Sequence, residues 1–330
     1  MTILRRTLGR SGIQVSALGL GTGRMGGIGW PRDDLTVHYR QDKVDAAIRA
    51  IHRALDLGID FFDTADVYGG GHSERILGQA LAGRRHRVVI ATKFGDSFDE
   101  QTGQRTGEEP SPAYIRRACQ ASLRRLDSDY IDLYLFHIRD YDLERAGEVR
   151  HTLEELVDEG KIRTYGWSTD DLERARFFFA QGSHCTAIMH RLNIMMDAPE
   201  MLALCDEYDL VSINRIPLAM GVLSGRWTAS TQLPEDDFRS EFLKVPKFLE
   251  DLETVQAMGQ VLTRDGRSYV QAALGWIWAR SPRTVPVPGF RTVEQVEEDA
   301  EALHLGPISE EQMQEIRRLK VDRSPAGSSQ

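Results

Sequence analysis

Short apolar runs rich in β-branched residues alternate along the whole chain with longer segments of helical periodicity. The runs fall at residues 15–21, 59–65, 87–93, 130–137, 162–168, 185–191, 210–215 and 284–289. Between them, apolar residues recur at helical spacing; Val44, Ile48, Ile51 and Leu55 form one face, and Gly58 follows as a stop in left-handed geometry. Ser111-Pro112 reads as an N-cap followed by a first helical residue, and Gly266-Arg267-Ser268 precedes another strong helical stretch. Strands alternating with helices are the pattern of βαβ units on a parallel sheet. Eight such units predict an α/β protein, a (β/α)8 barrel in a single domain over residues 1–330.

Some segments lie outside this rhythm. Residues 3–15 read as an N-terminal hairpin and residues 225–247 as a long polar loop after the seventh run. Within that loop, 234–239 has the polar character of a solvated loop or a closing flap. Residues 308–320 predict a terminal helix and 324–330 a frayed tail. Residues 18–23, LGLGTG, superficially resemble a dinucleotide-binding glycine run, but Arg24 stands where the third glycine belongs and no helix follows promptly.

Composition narrows the function classes. The 330 residues are 41% hydrophobic and 28% charged, an ordinary globular balance with material for a large core. The net charge of −9 argues against nucleic acid or an anionic membrane as partner, leaving a small molecule. Cys119, Cys185 and Cys205 give neither a disulfide framework nor a thiolate metal site, and no metal is expected. The opening MTILRR has no long apolar run, and no stretch is long enough to span a membrane, so the expected setting is cytoplasmic.

Polar residues that end the apolar runs carry the candidate chemistry. The second run leads to Asp63 and, five residues on, Tyr68; the third ends in Lys93 and the fourth in His137. Barrel enzymes place functional groups at the C-terminal strand ends, so these four should meet on one rim. Singly, each has a structural reading: a turn cap, a solvated lysine, a satisfied histidine, a loop-packing tyrosine. Together they suit carbonyl reduction. Tyr68 would protonate the forming alkoxide, and Lys93 would lower the phenol's pKa from its usual ~10. Asp63 would hold Lys93 charged, and His137 would orient the carbonyl oxygen. A Schiff-base role for Lys93 would need a depressed amine pKa, which Asp63 opposes.

The segments GIDFFDTADVYGGGHSE (58–74), VVIATKFG (88–95), DYIDLYLFH (129–137), PLAMGVLSG (217–225) and PVPGF (286–290) resemble the aldo-keto reductases, and the similarity runs from about residue 5 to 315. The resemblance implies NADPH/NADP+ as cofactor, interconversion of aldehydes or ketones with alcohols, and the tetrad named above. It places Gly21, Thr22, Pro217, Leu218, Gly221 and Leu223 at the cofactor. It also implies Ser168 and Asn193 at the carboxamide, with Thr169 and Met189 in place of the family's usual Asn and Gln. Arg215 stands where an aromatic ring usually lies beneath the nicotinamide; a stacked guanidinium and a salt-bridged structural one are both open readings. Arg226 is expected near the pyrophosphate. Arg291 and Thr292, in a turn begun by Gly289, are expected at the 2′-phosphate, with Gln295 and Asp299 further along the helix. Trp30, Trp167 and Trp227 are candidate walls of the substrate pocket. A non-catalytic NADPH-binding sensor or regulatory subunit is the alternative.

Overall fold

The computed structural model describes residues 3–25, 41–228, 230–232 and 238–321. Trp30, the tail 324–330 and most of the 234–239 segment lie outside the described residues.

The eight apolar runs form eight parallel strands: β3 (Gly19–Gly21), β4 (Phe61–Asp63), β5 (Val89–Phe94), β8 (Ile131–Phe136), β9 (Ile162–Ser168), β10 (Cys185–Arg191), β11 (Val211–Arg215) and β12 (Thr284–Pro286). They pair in chain order. The sheet closes on itself where the Gly21 N–H donates to the Pro288 carbonyl at 2.8 Å and Gly21 bridges Gly289 in parallel. A side chain at Gly21 would press on the Val287 carbonyl, with a Cβ only 3.1 Å away, so the seam favours glycine. Helices α1 (Gln41–Asp56), α2 (His72–Ala80), α3 (Pro112–Leu126), α4 (Leu143–Asp158), α5 (Leu172–Ala180) and α6 (Pro199–Glu207) each follow a strand. After β11 come α7 (Pro246–Ala257), α8 (Gly259–Leu262) and α9 (Tyr269–Arg280); α10 (Val293–Leu305) follows β12, and α11 (Glu310–Val321) ends the described chain.

Local signals explain these bounds. Val44 and Ile51 of α1 are buried against the sheet, each contributing roughly 2 kcal/mol by apolar transfer. Gly58 stops that helix at φ 87°, where an L-residue is disfavoured. The Ser111 hydroxyl accepts from the Tyr114 N–H, and Ser268 with Gln271 forms a reciprocal capping box, each worth ~1 kcal/mol.

Strand parity divides the side chains into two layers. Outward residues such as Phe62, Ile90 and Tyr134 pack under the helices. Inward residues, including Phe61, Val89, Leu133, Ala187, Ile213 and Val285, fill the barrel. The N-terminal hairpin, β1 (Arg5–Thr7) with β2 (Gln14–Ser16), lies at the lower end. It buries Leu8 and Val15 in the same interior cluster. Arg10 fixes it there, donating from Nε to the Cys185 carbonyl at 3.1 Å and from its backbone N–H to the Asp209 carbonyl at 3.0 Å.

Two features depart from the sequence reading. Residues 96–108 form an antiparallel hairpin, β6 (Asp96–Phe98) with β7 (Arg105–Glu108), inserted between β5 and α3. The described part of the 225–247 segment is not continuous loop: 3-10 turns occupy Phe238–Ser240 and Phe242–Lys244, and α7 already begins at Pro246.

Candidate active site

The same parity that fills the barrel puts polar groups at its mouth. Phe61 points inward, so Asp63 does too; Ala91 is followed by Lys93, Leu135 by His137, Ile213 by Arg215. Because β4, β5 and β8 are adjacent, these groups converge on a cavity of about 1020 Å³ at the C-terminal end of the barrel. Such a volume is ample for a ligand as large as a dinucleotide with a small substrate beside it.

Lys93 is buried, with an exposure of 1%, and donates from Nζ to Asp63 Oδ1 at 2.6 Å and to the Thr64 carbonyl at 2.7 Å. It also hydrogen-bonds the Tyr68 hydroxyl, and Nζ lies 5.0 Å from the Tyr68 ring centre. Burial is the largest single effect and works against the ammonium, but the charges and hydrogen bonds of Asp63 and Tyr68 together outweigh it, and Lys93 is held above the ordinary lysine range. Tyr68 corrects the sequence expectation. Its enclosure costs the phenolate more than Lys93 returns, and the nearby Asp63 opposes ionisation further. The phenol therefore lies above its usual range and keeps its proton at neutral pH.

Tyr68 and His137 meet edge to face, ring centres 6.1 Å apart. The His137 backbone is fixed by donation to the Phe94 carbonyl at 2.8 Å. Burial, then the charges of Lys93, Arg215, Arg139 and Arg105, hold the imidazole well below its usual pKa, so it is neutral. Its Nδ1 lies 3.6 Å from Asp96 Oδ2, without a hydrogen bond. Asp96 is itself bound by Arg105 Nε at 2.7 Å.

A buried polar network supports the Tyr68 loop. The Ser73 hydroxyl donates to the Thr22 carbonyl at 2.7 Å. Fully buried Glu74 accepts from Thr92 Oγ1 at 2.5 Å and Arg125 Nε at 2.6 Å, and Arg125 reaches on to Glu100 in the hairpin. Lys93 and the Tyr68 loop are thus tied to one scaffold.

Of the residues expected at the cofactor, Gly21, Ser168, Arg215, Pro217, Leu218 and Gly221 line the cavity, as do Arg226, Gly289, Arg291 and Gln295. The other residues expected there do not line it. Asn193 spends its amide on the chain itself: Nδ2 donates to the Ile216 carbonyl at 2.9 Å, and Oδ1 accepts from Met195 and Met196 N–H. Thr169 is buried and donates to the Arg139 carbonyl at 2.9 Å. Thr22 faces Ser73, Leu223 and Asp299 are buried off the cavity wall, and Thr292 caps α10. Among the Trp candidates, Trp227 lines the cavity. Trp167 belongs to the core: it is fully buried against Phe136 and Phe178, its Nε1 bonded to the Ile138 carbonyl at 2.8 Å.

Arg215 makes the salt bridge that one of its two readings expects. It lines the cavity and is ion-paired to Asp170, which also accepts from Arg191 Nε at 2.8 Å. The turn that follows is strained: Ile216, Ala219 and Met220 all have positive φ, 58°, 46° and 59°. Each such residue costs ~1–3 kcal/mol, and such strain clusters at functional sites. The Asn193 bond to the Ile216 carbonyl is part of what holds it.

Four site residues were missed in the sequence: Asp96, Arg105, Arg139 and Asp170. Asp170 and Arg139 each lie two residues past a strand-end polar residue, which was a usable signal. Asp96 and Arg105 sit on the unrecognised hairpin, marked only by its turn residues Asp99 and Gly103. Among the described residues no group of three His, Cys, Asp or Glu could hold a metal, and no helix is long and apolar enough to cross a membrane.

Comparison with known proteins agrees with this geometry. The model of the aldo/keto reductase family matches residues 17–321. Aldo-keto reductase YhdN of Bacillus subtilis is 32% identical over 293 residues, covering 87% of this chain and 85% of that protein. The glycerol dehydrogenase AKR11B4 from Gluconobacter oxydans superposes with a TM-score of 0.86 at 28% identity, covering 100% of this chain and 98% of that one. An aldo/keto reductase from Klebsiella pneumoniae, solved with NADP and acetate, gives a TM-score of 0.71 at 26% identity, covering 96% and 95%. With the barrel, the strand-end groups and a match across most of its length in agreement, the chain belongs to the aldo/keto reductase family of oxidoreductases.

Proposed function

We propose that this protein reduces aldehydes or ketones to alcohols, reversibly, with NADPH as the hydride source and Tyr68 as the general acid. The observation that carries the reading is the convergence of a protonated phenol, a charged and paired ammonium and a neutral imidazole on one large cavity.

The cavity suits the cofactor. Gly21 and Gly289 leave its wall open, Ser168 offers a hydroxyl, and the buried Nε of Arg215 has no partner. Arg226, Arg291 and Gln295 face the outer part, next to the N-terminus of α10, where a phosphate is favoured. Held by these residues, NADPH would supply the hydride that the carbonyl carbon needs.

The chain's own groups handle the oxygen. As negative charge grows there, Tyr68 transfers its phenolic proton to it. Lys93, hydrogen-bonded to the same hydroxyl, stabilises the phenolate left behind, and Asp63 keeps that ammonium in place. A carbon–hydrogen and an oxygen–hydrogen bond form as the carbonyl π bond is lost. His137, uncharged, can donate from Nε2 to orient the carbonyl oxygen. General acid catalysis of this kind is typically worth ~10²–10⁴-fold. The direct test follows NADPH absorbance with a panel of aldehydes and ketones. Tight NADPH binding with no turnover of any carbonyl, in either direction, would overturn the reading in favour of a non-catalytic sensor.

A further inference from the structure

Although the chain carries a net charge of −9, cationic side chains outnumber acidic ones around the cavity. Most of those cations are already engaged. Lys93 is paired with Asp63, Arg105 with Asp96 and Glu108, Arg215 with Asp170, and Arg226 with Glu298. Arg24, Arg239 and Arg291 also have interactions of their own. Among the described residues lining the cavity, Arg139 is the cation whose guanidinium makes no ion pair and no hydrogen bond.

Its position is fixed and close to the chemistry. Arg139 lies two residues past His137, and its carbonyl is tied down by the Thr169 hydroxyl at 2.9 Å. Its charge is felt by both His137 and Arg215. The neighbouring acids do not satisfy it: the Asp142 carboxylate caps α4, accepting from the Glu144 N–H at 2.9 Å, and Asp140 makes no bond to it. Arg226 and Arg291 belong to other elements, beyond β11 and before α10, so Arg139 is separate from the groups assigned above to the cofactor's phosphates.

We propose that Arg139 receives a carboxylate on the substrate, so that this site prefers aldehydes or ketones carrying an acidic group. This deepens the reductase reading and rests on it. One unpaired guanidinium balances one negative charge and matches the two oxygens of a carboxylate in its fork geometry. With the reacting oxygen at Tyr68 and His137, the acidic group lies at the far end of the substrate, toward the rim after β8. A carboxylate there meets Arg139 without disturbing the paired cations.

The test compares succinic semialdehyde with butanal, which share a four-carbon chain and differ in the terminal carboxylate. The wild-type kcat/KM is expected to favour succinic semialdehyde, with a preference that weakens as salt is raised. Arg139→Gln is expected to lower kcat/KM for succinic semialdehyde by about tenfold, chiefly through KM, and that for butanal far less. Equal losses on both aldehydes, or an unchanged ratio, would overturn the proposal. A second measurement needs no turnover: calorimetric binding of succinamate and butyramide to the NADP+-loaded protein. Succinamate should bind more tightly in the wild type and lose that advantage in Arg139→Gln; indifference to the substitution would equally overturn the proposal. If neither aldehyde is reduced, the carbonyl panel described above decides the reductase reading, while the binding comparison still decides the role of Arg139.

Discussion

Replacing Tyr68 by Phe removes one oxygen from the centre of the site and little else. The ring is held independently of its hydroxyl: it packs against Gly23, edge to face with His137, and 5.0 Å below Lys93. Lys93 keeps its bonds to Asp63 and the Thr64 carbonyl, so no buried charge is stranded. The stability cost should be about one hydrogen bond, ~1 kcal/mol. The rate should suffer far more. A loss of ~10²–10⁴-fold corresponds to about 2.7–5.4 kcal/mol of transition-state stabilisation. Single-turnover reduction of an aldehyde at saturating NADPH isolates the chemical step, and fluorescence titration measures NADPH affinity separately. The expected result is a rate lowered by orders of magnitude with nearly unchanged affinity. Near-wild-type turnover would remove Tyr68 from proton transfer. A parallel collapse of NADPH binding would mean the hydroxyl serves the cofactor instead.

Other expectations concern charge. Arg291→Ala should weaken NADPH by roughly 10–100-fold, the loss of a charge-assisted bond, and leave NADH nearly unchanged; titrations with both cofactors check this, and equal losses would place the 2′-phosphate elsewhere. Lys93→Met should abolish most turnover and destabilise the fold by ~3–5 kcal/mol, read from denaturant unfolding, because Asp63 is left as an unpaired buried carboxylate. His190 is buried, bonds the Ser212 hydroxyl at 2.7 Å, and has its pKa lowered to about 4. Its folded pKa is below its unfolded value, so the unfolded chain binds the proton first as pH falls. Stability is therefore complete above pH ~6.5 and is lost by roughly 3 kcal/mol between there and pH 4. Unfolding midpoints across that window should fall less steeply in His190→Gln than in the wild type.

How much of this was readable in the residues follows from which forces are local. All eight barrel strands were legible because each is a continuous apolar run with its own turn signals. Asp63, Lys93 and His137 were legible because side chains alternate along a strand, so an inward apolar residue fixes the direction of the polar one two places on. The surroundings of Trp167 and Asn193 were not legible for a complementary reason. Whether an indole faces a cavity or its neighbours Phe136 and Phe178, and whether an amide is spent on a nearby carbonyl, depends on partners far away in the chain. The protonation of Tyr68 was misjudged because the sequence names Lys93 as a neighbour but is silent on enclosure. The 96–108 hairpin went unseen because its strands are short, polar and half-exposed, and carry no apolar alternation.

The hairpin that seats Leu8 and Val15 in the base of the barrel makes the interior a cul-de-sac. Whatever reaches Lys93 must arrive and depart through the upper rim. Two ligands sharing a single doorway cannot move independently: the molecule that settles deeper has to come in first and go out last. Traffic through this protein should therefore obey a compulsory sequence, and truncating the first sixteen residues would disturb the floor of the vessel before it touched the chemistry above.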